Sequence, residues 1–333
     1  MLKVAWIGDD YLATGRGYGY AVAAEGIKQA LAPYVDWDDA APLAFTVAPP
    51  TDLPGKIEGK RLVAYTMFES PDLPRGARDA LARMDLLVVP SKFCRSIFLN
   101  VREDLPVLLA PLGVDPMPLV ERTYGVPFRF LWVGAASLRK GQVIAAQAYV
   151  LGQLKDCGAH LYLKTTTQDP NDPGKIETND SGTIHYDTRN LTRAELGELY
   201  ASAHAFVYPT IGEGFGMTLA EAMTSGLPCI APEWGGHLEF ASERNCLLLP
   251  AQPIRVGVTH GEHAAETEDG KYRQAMTGPN DFAEAMLVTM LKYDQTLELG
   301  AEGARYIRRE FTWAKCGARI AEILTDAQKR FQL

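Results

Sequence analysis

The sequence predicts an α/β protein made of two Rossmann-like units whose parallel sheets face one another across a cleft. Three observations lead there. Short apolar runs of strand length alternate with amphipathic helical stretches along most of the 333 residues, the rhythm of parallel sheets covered on both faces. That rhythm restarts at Phe128 after the Pro- and Gly-marked stretch "PLGVDPMPLVERTYGVP" (111–127), which reads as a linker. The chain is also long for one core and comfortable for two, since domains run to about 100–200 residues. The expected units are residues 1–122 and 123–305, with a closing helix at 306–333 expected to pack back on the first unit.

The elements follow in order. "LKVAWIG" (2–8) reads as a buried strand, followed by a glycine loop and a helix from about Tyr18 to Ala32. Then come "RLVAYTMFE" (61–69) as a strand, "RGARDALARM" (75–84) as a helix and "DLLVVPS" (85–91) as a strand. "KFCRSIFLN" (92–100) is helical, and "LPVLLAPLGVD" (105–115) holds a strand and a turn. In the second unit the strands are "FRFLWVGAAS" (128–137), "AHLYLKTT" (159–166), "AHAFVYPT" (203–210) and "LPCIAPEW" (227–234). The helices between them fall at 141–155, near 192–202 and at 217–225. The polar residues around 181–187 read as a connection, and 260–280, which lacks periodicity, as a surface loop. From residue 281 the tail is helical, broken near "EFTWAKCG", where Thr312 is the expected cap of the last helix.

Composition excludes several classes. No run of eighteen apolar residues is present, so no spanning helix is expected. The start "MLKVAWIGDD" lacks the apolar core and cleavage site of a signal peptide. Five scattered cysteines form no CxxC pair, which argues against a disulfide framework or zinc site and for a reducing cytoplasm. The net charge is −8 and neither unit is basic, so no nucleic-acid footprint shows.

The chemistry concentrates in "EGFGMTLAEAM" (213–223). Glycines here follow a strand and precede a helix, so the amides of Gly214, Phe215, Gly216 and Met217 are expected at a helix N-terminus. That arrangement binds anions, and glycine lets a diphosphate approach the backbone. Glu213 stands before the turn and Glu221 on the helix; a carboxylate accepts two hydrogen bonds from neighbouring hydroxyls, as a sugar diol presents them. A phosphate-binding turn with a diol-binding group on either side describes a nucleotide-sugar. Two acids that simply favour a helix N-terminus explain the same spacing.

The residue identities add to this reading. "EGFGMTLAEAMTSGLPCIAPEWGG" (213–236) resembles the donor-binding signature of GT-B glycosyltransferases, in particular the retaining family 4, also called group 1. Glu213, Gly214, Phe215, Gly216, Glu221, Ala222, Met223, Gly226, Pro228, Ala231, Gly235 and Gly236 carry the match. The resemblance implies that Glu213 binds hydroxyls of the transferred sugar, Glu221 the ribose, and the loop amides the diphosphate, with Pro228–Gly236 beside the nucleotide. "FLWVGAASLRKGQ" (130–142) resembles the family's stretch running into Lys-Gly, so Lys140 fits the lysine that stabilises the leaving diphosphate. Where the family has Gly-Arg this chain has Gly134-Ala135. One cation is missing, and Arg139 is the candidate replacement. "VVPSKFCRSIFLN", "APLGVD", "NCLLLP" and "FTWAKCGARIAEIL" resemble further family segments.

The resemblance makes 1–122 an acceptor domain and 123–305 a donor domain. It implies transfer of a sugar from a UDP- or GDP-sugar to an acceptor hydroxyl, retaining, without metal and with no cofactor beyond the donor. The loop "GDDYLATGRGYGYA" (8–21) places Gly15 and Gly17 where the family lines the cleft beneath the donor. Its glycines do not sit hard against the strand, as a dinucleotide fingerprint requires, although Asp36 and Asp38 lie at a distance that suits a ribose. All six histidines lie at or beyond His160, so no first-unit histidine can face the sugar. Glu69, in "YTMFESPDLP" (65–74), is the polar group at the corresponding strand end and the candidate base or orienting group; a capping or surface role is the alternative. Asp9-Asp10 and "DWDD" (36–39) read as solvated acids rather than metal ligands, and His237 as a structural hydrogen-bonder near the donor. The alternatives to an active enzyme are a nucleotide-sugar-binding protein of the same fold that has lost turnover, and an NAD-dependent oxidoreductase. A small molecule, polysaccharide, protein or modified nucleic acid remains open as acceptor. A lipid is less favoured, for no basic amphipathic helix is conspicuous.

Overall fold

A computed structural model describes residues 1–8, 18–74, 76–166, 174–257 and 271–333. The first sheet holds β1 (Leu2–Ile7), β2 (Val35–Trp37), β3 (Leu43–Val47), β4 (Arg61–Tyr65), β5 (Leu86–Val89) and β6 (Val107–Leu109). Its order is β2-β1-β3-β4-β5-β6, every neighbouring pair parallel. Helices α1 (Tyr18–Leu31), α2 (Ala77–Ala82) and α3 (Lys92–Phe98) connect the strands. Neither β2 nor β3 is signalled by the sequence pattern. All five residues of β3 are buried, and it runs mid-sheet, but prolines on both sides give so short a run the look of a loop.

The second sheet holds β7 (Phe128–Val133), β8 (Ala159–Lys164), β9 (Ile176–Thr178), β10 (Ile184–Asp187), β11 (Ala205–Val207), β12 (Cys229–Pro232) and β13 (Leu247–Leu249). The order is β13-β12-β11-β7-β8-β10-β9, parallel except for the edge strand β9. Its helices are α4 (Gln142–Leu151), α5 (Arg193–Ser202), α6 (Met217–Thr224) and α7 (Pro279–Leu291). Two expectations fail here. Residues 184–187 are a strand rather than a connection, because Ile184 and Asp187 turn inward while the pattern between them is polar. Part of 260–280 is also a strand: β14 (Gln252–Gly257) pairs antiparallel with β15 (Lys271–Met276).

The tail forms α8 (Tyr293–Glu310) and α9 (Trp313–Phe331). Thr312 caps α9, its hydroxyl accepting from the Lys315 N–H at 3.2 Å. Helix α9 lies against α1 at close range: a Cβ on Gly26 would stand 2.3 Å from the Trp313 ring, and one on Gly317 2.2 Å from the Ala30 carbonyl. Residues 111–127 have no regular structure, yet they are docked rather than a free linker. Arg122 donates to the carbonyls of Val120, Tyr200, Ala203 and Ser225, and the Met117 N–H donates to Thr224 Oγ1 at 2.9 Å.

The chain leaves β7 toward β8 on one side, and β11 lies on the other side of β7. This reversal is the topological switch point, and the loops after β7 and β11 form the crevice in which open parallel sheets bind ligands. Residues 134–141 and 208–216 are those loops.

Candidate active site

The loop after β7 delivers Arg139 and Lys140 into the crevice. Trp132 Nε1 donates to the Lys140 carbonyl at 2.9 Å, and the Ile211 N–H to the Arg139 carbonyl at 2.9 Å, so the backbone is tied both to β7 and to the loop after β11. Gly141 follows with φ +75°, and a Cβ there would sit 1.9 Å from the Pro209 carbonyl oxygen. Only glycine permits this approach, which explains the Lys-Gly pair.

Glu213, 6% exposed, is the anionic centre. Lys140 Nζ donates to its Oε1, and Arg139 Nη1 lies 3.6 Å from the same oxygen. Arg139 Nη1 also donates to the Gly212 carbonyl at 2.9 Å. Burial pushes the Glu213 carboxyl up, but Lys140 and Arg139 outweigh it and hold the group below the usual carboxylate range. The chain then turns at Gly214–Gly216. Gly236 stacks so tightly that its Cβ would meet the Gly214 carbonyl at 1.9 Å, and its N–H donates to the Glu213 carbonyl at 2.7 Å. Gly216, at φ +98°, caps α6, so the first α6 amides lack intrahelical acceptors, and Gly226 closes the helix at φ +77°. The Phe215 ring points away into the core, edge-on to Phe240 at 5.2 Å. Any role for Phe215 toward a ligand falls to its backbone, and Met217 likewise packs its side chain against the core.

Glu221 is buried one turn into α6 and faces a different environment. Arg193 Nη1 donates to Oε1 at 2.5 Å and the Tyr200 hydroxyl to Oε2 at 3.3 Å. Here burial dominates over Arg193 and Tyr200, and the carboxyl is pushed above its usual range. The two glutamates of one motif are thus tuned in opposite directions. Neither Arg193 nor Tyr200 is marked as a site residue by the sequence. The Thr192–Glu195 capping box marks the start of α5 and so the position of Arg193, but nothing local ties it to Glu221.

The first unit meets this loop directly. Ser91 caps α3 by accepting from the Cys94 N–H at 3.1 Å and donates to the Gly214 carbonyl at 2.7 Å. Cys94 Sγ donates to the same carbonyl at 3.3 Å, and burial pushes that thiol up to about 12. Glu69, just beyond β4, lies 3.3 Å from Arg139 Nε. The structure therefore gathers Glu213, Lys140, Arg139, Glu69 and the 214–217 turn in one place, with Glu221 at the next turn of the helix. Gly15 and Gly17 lie outside the described residues.

His237 Nε2 is 2.8 Å from the Pro232 carbonyl, a structural hydrogen bond, and burial lowers its pKa. Asp36 pairs in register with Lys3, and Asp38 bonds Lys3 Nζ at 3.1 Å. Asp38 stands one residue beyond the C-terminal end of β2, where Lys3 engages its carboxylate and its own N–H donates to the Val4 carbonyl at 3.0 Å.

Residues 127–255 match the family model described as "Glycosyl transferases group 1". The chain is 28% identical to a sucrose synthase of Solanum tuberosum over 143 residues, 41% of this chain and 15% of that protein. It is 49% identical to a sucrose synthase of Melioribacter roseus over 54 residues, 15% of this chain and 7% of that protein. It therefore spans a small part of these curated relatives. Among solved structures it is similar to sucrose-phosphate synthase from Thermosynechococcus elongatus, with TM-score 0.61, 16% identity, and 95% of this chain and 80% of that one covered. It is similar also to Anabaena HepE in complex with UDP and glucose, with TM-score 0.60, 13% identity, and 91% and 81% covered. The fold is that of the GT-B glycosyltransferases. Within it, residues 127–255 are the part that is similar to the group 1 glycosyltransferases.

Proposed function

We propose that the protein moves a sugar from a nucleotide-diphosphate sugar to an acceptor hydroxyl, retaining the configuration and using no metal for the chemistry. The observation that carries this reading is the placing of Arg139, Lys140 and Glu213 at the switch point beside the α6 N-terminus. A diphosphate is the ligand that two cations and a row of free amides would hold together. As the bond from the anomeric carbon to the diphosphate breaks, charge develops on the leaving oxygen; Lys140, Arg139 and the amides oppose it. Drawing Lys140 and Arg139 to phosphate frees the Glu213 oxygens to accept from sugar hydroxyls, while Glu221 accepts from the ribose. The leaving diphosphate takes the proton of the incoming hydroxyl on the same face, and Glu69 orients that hydroxyl or assists as base.

UDP is the favoured carrier, with GDP second, since the similar HepE structure is described as holding UDP and glucose. The proposed acceptor remains a small molecule, polysaccharide, protein or modified nucleic acid. We place the protein in the cytoplasm: all five cysteines are free, and no helix among the described residues is long and apolar enough to cross a membrane.

Calorimetry with UDP-, GDP-, ADP- and CDP-sugars and with NAD, on wild type and Glu221→Ala, tests the reading. Binding of one nucleotide-sugar that weakens in Glu221→Ala supports it; binding of NAD alone, or indifference to Glu221→Ala, rejects it. Binding without nucleotide release in the presence of any acceptor class would favour a protein of this fold that has lost turnover.

A further inference from the structure

The hairpin β14–β15 connects the two segments that carry the carboxylates on either side of Arg139. On the first-unit side, Arg273 of β15 reaches residues 70–72. Its N–H donates to Asp72 Oδ2 at 2.7 Å, and its guanidinium holds Asp72 Oδ1 at 2.6 and 2.8 Å. Its carbonyl accepts from the Ser70 hydroxyl at 2.9 Å, and Ser70, 1% exposed, accepts in turn from the Asp72 N–H at 3.1 Å. Residues 70–72 follow Glu69 immediately. On the second-unit side, two residues further along the same strand, the Ala275 N–H donates to the Ile211 carbonyl at 3.3 Å. Between them, Gln274 and the Glu69 carbonyl crowd Gly212, where a Cβ would stand 2.9 and 2.8 Å from them. Gly212 precedes Glu213 directly.

We infer that β14–β15 is a cross-cleft strap that sets the spacing of Glu69 and Glu213 about Arg139, with Arg273, Asp72 and Ser70 as positioning residues for the transfer step. One strand bonds both segments, so the separation of the two carboxylates follows strand geometry instead of the drift of two loops. Arg273 acts through Glu69: with residues 70–72 unpinned, Glu69 loses its place against the guanidinium. In its catalytic part the inference rests on the glycosyltransfer reading; in its structural part it does not.

The test uses the full chain and the variants Arg273→Ala, Ser70→Ala and the exchange Asp72→Arg with Arg273→Asp. Hydrogen exchange, read without substrate, is expected to show lost protection in both 66–72 and 211–214 in Arg273→Ala and Ser70→Ala. Turnover of the best nucleotide-sugar should fall about tenfold, with its KM changed less than about threefold, since ordering rather than uniform binding is lost. In a Glu69→Gln background Arg273→Ala should cost nothing more, because both act through one contact, and the charge exchange should recover most of the turnover. Unchanged exchange in both segments overturns the strap, as does a full additional loss in the Glu69→Gln background. Should no nucleotide-sugar be bound or turned over by wild type, the functional reading fails, and the exchange result alone decides whether the strap stands.

Discussion

Glu69 and Arg139 come from different sheets, yet Glu69 Oε1 stands 3.3 Å from Arg139 Nε, and the same guanidinium reaches Glu213 Oε1 at 3.6 Å. One cation serves two carboxylates, both of which compete with any phosphate for it.

Glu69→Gln removes one competitor for Arg139. Nucleoside-diphosphate binding should tighten by about two- to tenfold, as expected for one partly solvated charge at this range, while turnover falls. Calorimetry with UDP alone separates the two effects. Weaker binding would show that Glu69 holds Arg139 in place instead of competing for it.

Glu213→Ala strands Lys140 and Arg139 without their buried counter-ion. A loss of about 3 kcal/mol follows, the low end for breaking a buried pair because Lys140 and Arg139 are themselves partly exposed, and saturating UDP should restore part of it by linkage. Thermal denaturation with and without UDP reads both.

Acid should act through the same residue. The folded-state pKa of Glu213 is lowered, so its contribution is present above the unfolded value of about 4.3 and fades as pH falls through the lower folded value. A stability profile between about pH 6 and pH 3 should be flatter for Glu213→Gln than for wild type. Equal slopes would mean that the Lys140 and Arg139 pairs are not formed in solution.

Glu221 carries the opposite sign. Its folded-state pKa is raised, so the ionised form disfavours folding at neutral pH, and that penalty lifts as pH falls through the folded value toward the lower unfolded one. Glu221→Gln should therefore melt no lower than wild type at pH 7 while binding a nucleotide-sugar at least about tenfold more weakly, the pattern of a site that trades stability for function. A lower melting temperature at unchanged affinity would make Glu221 structural.

Gly141→Ala must fit a Cβ 1.9 Å from a carbonyl oxygen at φ +75° and should cost more than about 2 kcal/mol. Gly59→Ala, at φ +74° with open space around it, should cost about 1 kcal/mol. Urea denaturation of the two separates backbone strain from the clash at the Lys140 loop.

Most elements were legible because their patterns are local. The strands β7, β8, β11 and β12 are predominantly apolar runs of strand length, and Thr312 sits where a cap belongs, before a helix of amphipathic period. β3 was not legible, for a five-residue run of four apolar residues and Thr46 between prolines looks alike whether it lies mid-sheet or in a loop. Nor was β15, whose polar residues pair with β14 and bond to the first unit instead of filling a core.

The sequence by itself determined the alternation of strands and helices and the chemistry of the 213–223 turn, because glycine placement and side-chain type are properties of neighbours along the chain. It could name Arg139 and Glu69 as candidates but not join them. Only the tertiary structure decided that Arg139 lies between Glu69 and Glu213, that Arg193 and Tyr200 close on Glu221, and that β15 ties both sides of the cleft. Those relationships join residues far apart in sequence, and what sets them is the order of strands in two sheets, which no local pattern records.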